Sequence, residues 1–160
     1  MGAYITNFPI RNFYAGTQDS GGRVEARIEA WRTNGQLSEL AADAVLAWLS
    51  EPAYEAFTDE ICGLIDQGDT NELEDAFRTH ISFGTGGIRG KMGPGPNRIN
   101  LRIIGEATQG LARYILKETG DDGARRGVAV ANDTRNNSTR FALEVAHILA
   151  ANGITAYLFE

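Results

Sequence analysis

Apolar side chains recur at three- and four-residue steps from Leu37 to Trp48, the period of an amphipathic helix. Leu37, Leu40, Ala41, Ala44, Val45 and Trp48 make that stripe. Ser50 is then placed to cap a second helix with Pro52 in its first turn, where a missing N–H does no harm. Its apolar face is Tyr54, Phe57, Ile61, Leu64 and Ile65. Asp-Gln-Gly-Asp at 66–69 breaks the pattern, and Asp69 with Glu72 predicts a capping box opening a short helix that carries Leu73, Ala76 and Phe77. Further on, Asn100 predicts the cap of a helix striped by Leu101, Ile104, Thr108, Leu111 and Ile115 and ended by Thr-Gly-Asp-Asp-Gly at 119–123. Residues 127–132, Gly-Val-Ala-Val-Ala-Asn, are short, apolar and β-branched, and so predict a buried strand. Ser138 can cap a helix bearing Phe141, Val145 and Leu149, Asn152-Gly153 closes it, and Ile-Thr-Ala-Tyr-Leu-Phe at 154–159 predicts a second buried strand.

Helix, strand, helix, strand is the order of an α/β fold with parallel strands. The fold class expected is α/β: N-terminal helices followed by an incomplete three-layer α/β/α domain with a mixed, partly parallel sheet. The organisation divides into an N-terminal extension over 1–36, partly flexible, a helical lead-in over 37–80 and the α/β segment over 81–160. Within the extension, Tyr-Ile-Thr-Asn-Phe-Pro-Ile-Arg-Asn-Phe-Tyr at 4–14 suits an edge strand or a docking segment, and a helix over 23–31 is only weakly patterned.

Composition narrows the function. A net charge of −6 argues against nucleic acid as the main partner, because phosphate backbones require a basic face. No apolar run reaches the roughly 18 residues that span a membrane, so no membrane partner is expected. One cysteine, Cys62, excludes an internal disulfide and fits a reducing compartment. With no secretion plan at the N-terminus, a cytoplasmic location is expected. Cys62 sits among apolar neighbours and reads as a buried, inert thiol.

The chemistry concentrates in Phe-Gly-Thr-Gly-Gly-Ile-Arg-Gly-Lys-Met-Gly-Pro-Gly-Pro-Asn-Arg-Ile-Asn at 83–100, where six glycines and two prolines surround Arg89, Lys91 and Arg98. It is not a P-loop: Met92 stands where the magnesium-binding hydroxyl belongs and Thr85 where the first glycine belongs. Nor is it a dinucleotide fingerprint, since Pro94 and Pro96 forbid the helix that must start within the glycines. Two readings remain, a surface turn with incidental charges and a loop that presents backbone N–H groups and guanidinium to an anion.

This stretch, followed by Ala-Thr-Gln-Gly-Leu-Ala-Arg-Tyr-Ile at 107–115, resembles the start of the catalytic region of the α-D-phosphohexomutases, nearest their phosphoglucomutase/phosphomannomutase branch. Ala-Trp-Leu-Ser-Glu-Pro-Ala-Tyr-Glu-Ala-Phe at 47–57 resembles that family's helical lead-in. Residues 128–159 resemble its strand, Asp-x-Arg turn, helix and strand. The likeness covers about residues 38–160. It departs from the family near Gly87 and at Ala131-Asn132, which leaves the choice among glucose, mannose and pentose phosphates open.

The resemblance implies domain I of an enzyme that moves a phosphoryl group between O1 and O6 of a hexose phosphate. A phosphoserine donates it, and a hexose 1,6-bisphosphate serves as intermediate and activator. Transfer of this kind is mostly positioning and charge neutralisation. In that scheme Arg89 stands beside the phosphoserine and is both catalytic and substrate-binding. Lys91 is a second catalytic charge, Thr85 and Gly86 shape the backbone at the substrate, Arg98 adds a substrate-binding charge, and Arg135 orients the serine loop. For Arg135 the plain alternative, a turn and helix cap in Asp-Thr-Arg-Asn-Asn, stays open; Asp133 braces that turn. The metal is Mg2+, with no ligands in this chain. His80, His147 and Ser82 carry no partner spacing that would make them catalytic. The family's serine loop, its magnesium loop and its C-terminal phosphate-binding domain have no counterpart in this sequence. The expectation is therefore an N-terminal portion, inactive alone, whose partners are a hexose phosphate and the remaining domains of the enzyme. The alternatives are a non-catalytic phosphate-binding module and an interaction domain.

Overall fold

The computed structural model describes residues 20–159. The elements run α1 (Ser20–Thr33), α2 (Glu39–Ser50), a 3-10 turn (Pro52–Phe57), α3 (Thr58–Gln67), α4 (Thr70–Phe77), β1 (Phe83–Gly84), β2 (Gly87–Ile88), α5 (Leu101–Arg126), β3 (Val128–Ala131), α6 (Ser138–Ala151) and β4 (Ala156–Phe159). This is the predicted α/β order, helices first and then helix and strand in alternation. Two compact units divide between Ile99 and Asn100. By packing, the glycine-rich stretch falls in the first of these units, with the helices before it.

In the first unit, Ser38 caps α2 by accepting from the Ala41 N–H at 3.2 Å. Ala41, Ala42, Val45, Trp48 and Leu49 turn inward, whereas Leu40, placed on the apolar stripe by its spacing, is 66% exposed. The buried arc is centred on Ala41 and Val45, and Leu40 falls off its edge. Trp48 stacks on Tyr54 at 4.3 Å between centroids and meets the edge of Phe77 at 5.6 Å. Removing a side chain such as Phe77 from water stabilises the unit by roughly 2–3 kcal/mol. α1 is longer than its weak pattern suggests. Its Ile28 is wholly buried and its Trp31 nearly so, in the same core as α2, α3 and α4. The second half of the 1–36 segment is thus core, not a loose extension; residues 4–14 lie outside the described residues.

Ser50 does not cap the next helix: its hydroxyl donates to the Ala47 carbonyl, and the chain passes through the 3-10 turn before α3 begins. Cys62 is buried. Gly68 ends α3, and Asp69 caps α4 through the Glu72 N–H at 3.0 Å.

In the second unit, Asn100 caps α5 by accepting from the Ile103 N–H at 3.0 Å. The helix turns Ile103, Thr108 and Ala112 inward and leaves Leu111 exposed, one position away from the predicted stripe. The Thr-Gly-Asp-Asp-Gly break is real but local. Gly120 leaves helical geometry, and the chain resumes helix as far as Arg126, with Asp122 paired to Arg125 and Arg126. β3 and β4 pair in parallel, Val128 opposite Ala156 through Ala131 opposite Phe159, joined by α6. Val130, Ala142, Leu149 and Ile154 are central to this core. β4 is predicted buried, yet Tyr157, Leu158 and Phe159 are all exposed.

Candidate active site

Residues 83–88 form a hairpin. Phe83 pairs with Ile88 and Gly84 with Gly87, so Thr85 and Gly86 make the turn. Gly87 takes φ 103°, a value that L side chains rarely adopt, and it closes a turn too tight for most residues. Ser82, Gly84, Thr85, Gly86, Gly87 and Arg89 line an open concavity of about 440 Å³. Three of these six are glycines, so the wall is largely bare backbone that an anion can approach closely. Arg89 folds over the turn: a Cβ added to Gly86 would lie 3.3 Å from its Nη2. Among the described residues no carboxylate pairs with Arg89, and its side chain is exposed. It is a free guanidinium at the mouth of a backbone-lined hollow, suited to two parallel hydrogen bonds to a phosphate.

After Arg89 the chain doubles back. The Ile99 N–H donates to the Lys91 carbonyl at 2.8 Å, the Ile81 N–H to the Pro96 carbonyl at 2.9 Å and the Asn97 N–H to the Ala76 carbonyl at 3.0 Å. Pro94, Gly95, Pro96 and Arg98 are buried. The stretch is therefore packed over 94–96 and Arg98, whereas the hairpin and the run 90–92 after it are open.

The remaining predicted site residues go to three different places. Arg98, expected at substrate, turns inward and is 2% exposed. Its Nε and Nη2 donate to Glu72 Oε1 at 3.0 and 2.5 Å, and Nη2 also donates to Asp75 Oδ2 at 2.6 Å. Burial opposes the charge on Arg98, but the hydrogen bonds to Glu72 and Asp75 outweigh it and raise its pKa. The hydrogen bond from Arg98, and then its charge, hold the Asp75 carboxyl below its ordinary value. This arginine is tied into the interior and does not line the hollow. Lys91 stays exposed, with Nζ 3.3 Å from Glu72 and 3.5 Å from Asp75, so its charge is shared with the same pair.

In the second unit, Arg135 is exposed and bound to Asp133 by Nε at 2.7 Å and by its own N–H at 3.0 Å. The Arg135 N–H and then the Ser138 hydroxyl lower the Asp133 pKa. Ser138 accepts from the Asp133 N–H at 3.0 Å instead of capping α6, which begins after Asn137 at φ 63°. The Asp-x-Arg segment is thus a self-bonded turn. His80 and His147 are exposed. Ser82, set aside by sequence reasoning, lines the same hollow as Arg89, and no spacing rule could have shown it. Among the described residues no three His, Cys, Asp or Glu side chains converge where they could hold a metal ion. Among the same residues, no helix is long and apolar enough to cross a membrane.

Residues 80–160 match the family described as phosphoglucomutase/phosphomannomutase, alpha/beta/alpha domain I. The chain belongs to that family. The phosphopentomutase of Homo sapiens is 34% identical over 119 residues, 71% of this chain and 19% of that protein. The probable phosphoribomutase of Schizosaccharomyces pombe is 30% identical over 124 residues, 78% of this chain and 21% of the relative. A phosphoglucomutase of Staphylococcus aureus is 40% identical over 87 residues, 54% of this chain and 15% of the relative. The chain spans about a fifth of the length of these curated relatives. No solved structure matches it. The family match takes in the whole hairpin and Arg89, together with the Asp-x-Arg turn, and it begins after α4.

Proposed function

We propose that these residues provide the phosphate-holding part of a phosphosugar mutase, which interconverts the 1-phosphate and the terminal phosphate of a sugar through a phosphoserine. The observation that carries this is Arg89, free of any carboxylate among the described residues and set on a hollow walled by Gly84, Gly86 and Gly87. Transfer of a phosphoryl group asks the protein mainly to hold oxygens in place and neutralise the charge spread over them. Arg89 supplies the fork and the hairpin supplies close backbone approach. Thr85 offers a hydroxyl at the turn, and Arg135, braced by Asp133, orients the serine-bearing segment. That serine, the sugar-reading groups and the bisphosphate-binding surface lie outside these 160 residues in this scheme. Magnesium fits no donor set among the described residues, so no step here runs through it. The substrate class is a hexose phosphate, with a pentose phosphate as the competing choice because two of the relatives above are named for pentose chemistry.

The chain alone is expected to bind phosphate but to form no glucose 6-phosphate from glucose 1-phosphate. Product above a protein-free blank would overturn the assignment of the serine to another segment. Loop amide signals that do not move with inorganic phosphate would overturn the assignment of Arg89. Lys91→Ala is expected to leave phosphate affinity within about threefold of the parent, since an exposed charge already paired contributes little. A loss as large as that of Arg89→Ala, measured by the same titration, would make Lys91 a direct ligand.

A further inference from the structure

We propose that Glu72 and Asp75 of α4, acting through Arg98, are positioning residues for the phosphate site at Arg89. The proposal rests on the reading of Arg89 given above and extends it to a segment that the family match does not include, since that match starts at His80.

Three observations converge on this clamp. The first is the inward course of Arg98. Its side chain is 3% exposed, and its guanidinium meets Glu72 and Asp75 at once. Nη1 adds a bond to the Asn97 carbonyl at 3.0 Å. A planar fork with every arm engaged admits one orientation, so the backbone at 97–99 is fixed relative to α4. The second is that the other limb of the stretch reaches the same carboxylates. Lys91 reaches both only through exposed pairs that add little; the tie between the limbs is its carbonyl, which accepts from the Ile99 N–H. Arg89 lies two residues before Lys91, so its direction of approach follows from where these limbs are held. The third is that main-chain bonds repeat the attachment: Asn97 donates through its N–H to the Ala76 carbonyl and through Nδ2 to the Asp75 carbonyl at 2.8 Å.

Glu72 is free for this task for a local reason. In a capping box its carboxylate would turn back to the Asp69 N–H. That N–H already donates to the Leu64 carbonyl at 3.1 Å as α3 ends, so Glu72 extends to Arg98 and Lys91. Arg98 is buried while its two carboxylates stay partly exposed; such a pair seldom adds net stability over a well-packed apolar group, and its assigned task here is to fix geometry. The clamp accordingly sets the loop, and the aromatic core around Trp48 holds the unit together.

The test uses the 160-residue chain, inorganic phosphate and amide NMR. In the double variant Glu72→Gln/Asp75→Asn, hydrogen exchange at Ile81, Asn97 and Ile99 is expected to accelerate on the order of a hundredfold, with α2 unchanged. Phosphate affinity, read from the Gly86, Gly87 and Arg89 amides, is expected to fall about tenfold. Arg98→Met leaves no buried charge stranded and gives a folded second variant with the same expected loss. Arg98→Lys keeps the charge without the fork; it is expected to restore thermal stability but not phosphate affinity, a split that a purely structural role does not produce. A parent that binds phosphate while these variants bind it equally well overturns the clamp and leaves Arg89 standing. Unchanged exchange at Ile81 and Ile99 overturns it too. A parent whose loop amides ignore phosphate overturns the Arg89 reading and with it the role given to the clamp.

Discussion

Arg89→Ala is expected to lower kcat about a hundred- to a thousandfold in the assembled mutase, with a much smaller change in KM. The expectation follows from when the guanidinium is needed. A sugar phosphate in the ground state carries its charge on oxygens that water also serves, whereas the moving phosphoryl group spreads charge over oxygens shielded from water by donor and acceptor. A fixed fork at that point stabilises the transition state more than the bound substrate, which is the condition for raising kcat. Arg89 meets the structural requirement because it has no competing carboxylate among the described residues. Arg98 and Lys91, with equal formal charge a few residues away, are already bound to Glu72 and Asp75. Arg89→Lys is expected to recover part of the loss, since it returns the charge without the two-pronged geometry. The measurement is steady-state turnover of glucose 1-phosphate by the chain joined to a serine-bearing remainder. Unchanged kcat in Arg89→Ala would remove this residue from the chemistry.

What could be read from the sequence divides along physical lines. Periodicity located α2, α4, α5 and α6, because their spacing reflects one-sided burial, and short apolar, β-branched runs located β3 and β4. It is weaker at choosing among adjacent positions of a stripe, so Leu40 and Leu111 fell outside while Ala42 and Ala112 went in. α1 was legible only as a weak pattern over 23–31, because Ile28 and Trp31 are too few to mark a face clearly, although the core of the first unit closes over both. At the site, glycine content made a tight turn legible somewhere in 83–100, but its place at Thr85 and Gly86 came from the strand pairing. The separate fates of three basic side chains did not. Arg89, Lys91 and Arg98 are alike as letters, and what distinguishes them is the position of two carboxylates some twenty residues earlier, which only tertiary structure brings near. Glu72 illustrates the same point. Its spacing from Asp69 predicts a cap correctly at the backbone, yet its side chain goes elsewhere because the end of α3 has already satisfied the N–H it would have sought.

Gly95→Ala is expected to destabilise the first unit by about 2–4 kcal/mol and to weaken phosphate binding in parallel. Gly95 has φ 111°, and a Cβ there would stand 2.6 Å from the Ala76 carbonyl oxygen and 3.1 Å from the Ala76 carbonyl carbon. Neither neighbour can yield cheaply, because the crowding atoms are backbone at the end of α4. The same Ala76 oxygen accepts the Asn97 N–H at 3.0 Å, so relief by moving the loop away breaks that bond and leaves a part-buried donor unmatched. Displacement there also drags Arg98, three residues on, out of register with Glu72 and Asp75. The strain is thus transmitted to the hairpin that carries Arg89 and does not stay at one turn. Trp31 and Trp48 both lie in this unit, so denaturant unfolding followed by tryptophan fluorescence reports it selectively. Gly22→Ala, where an added Cβ meets nothing within 4 Å, gives the matching change without the collision. If the two variants unfold at the same denaturant concentration, the close approach of the loop to α4 is not what holds this site in place.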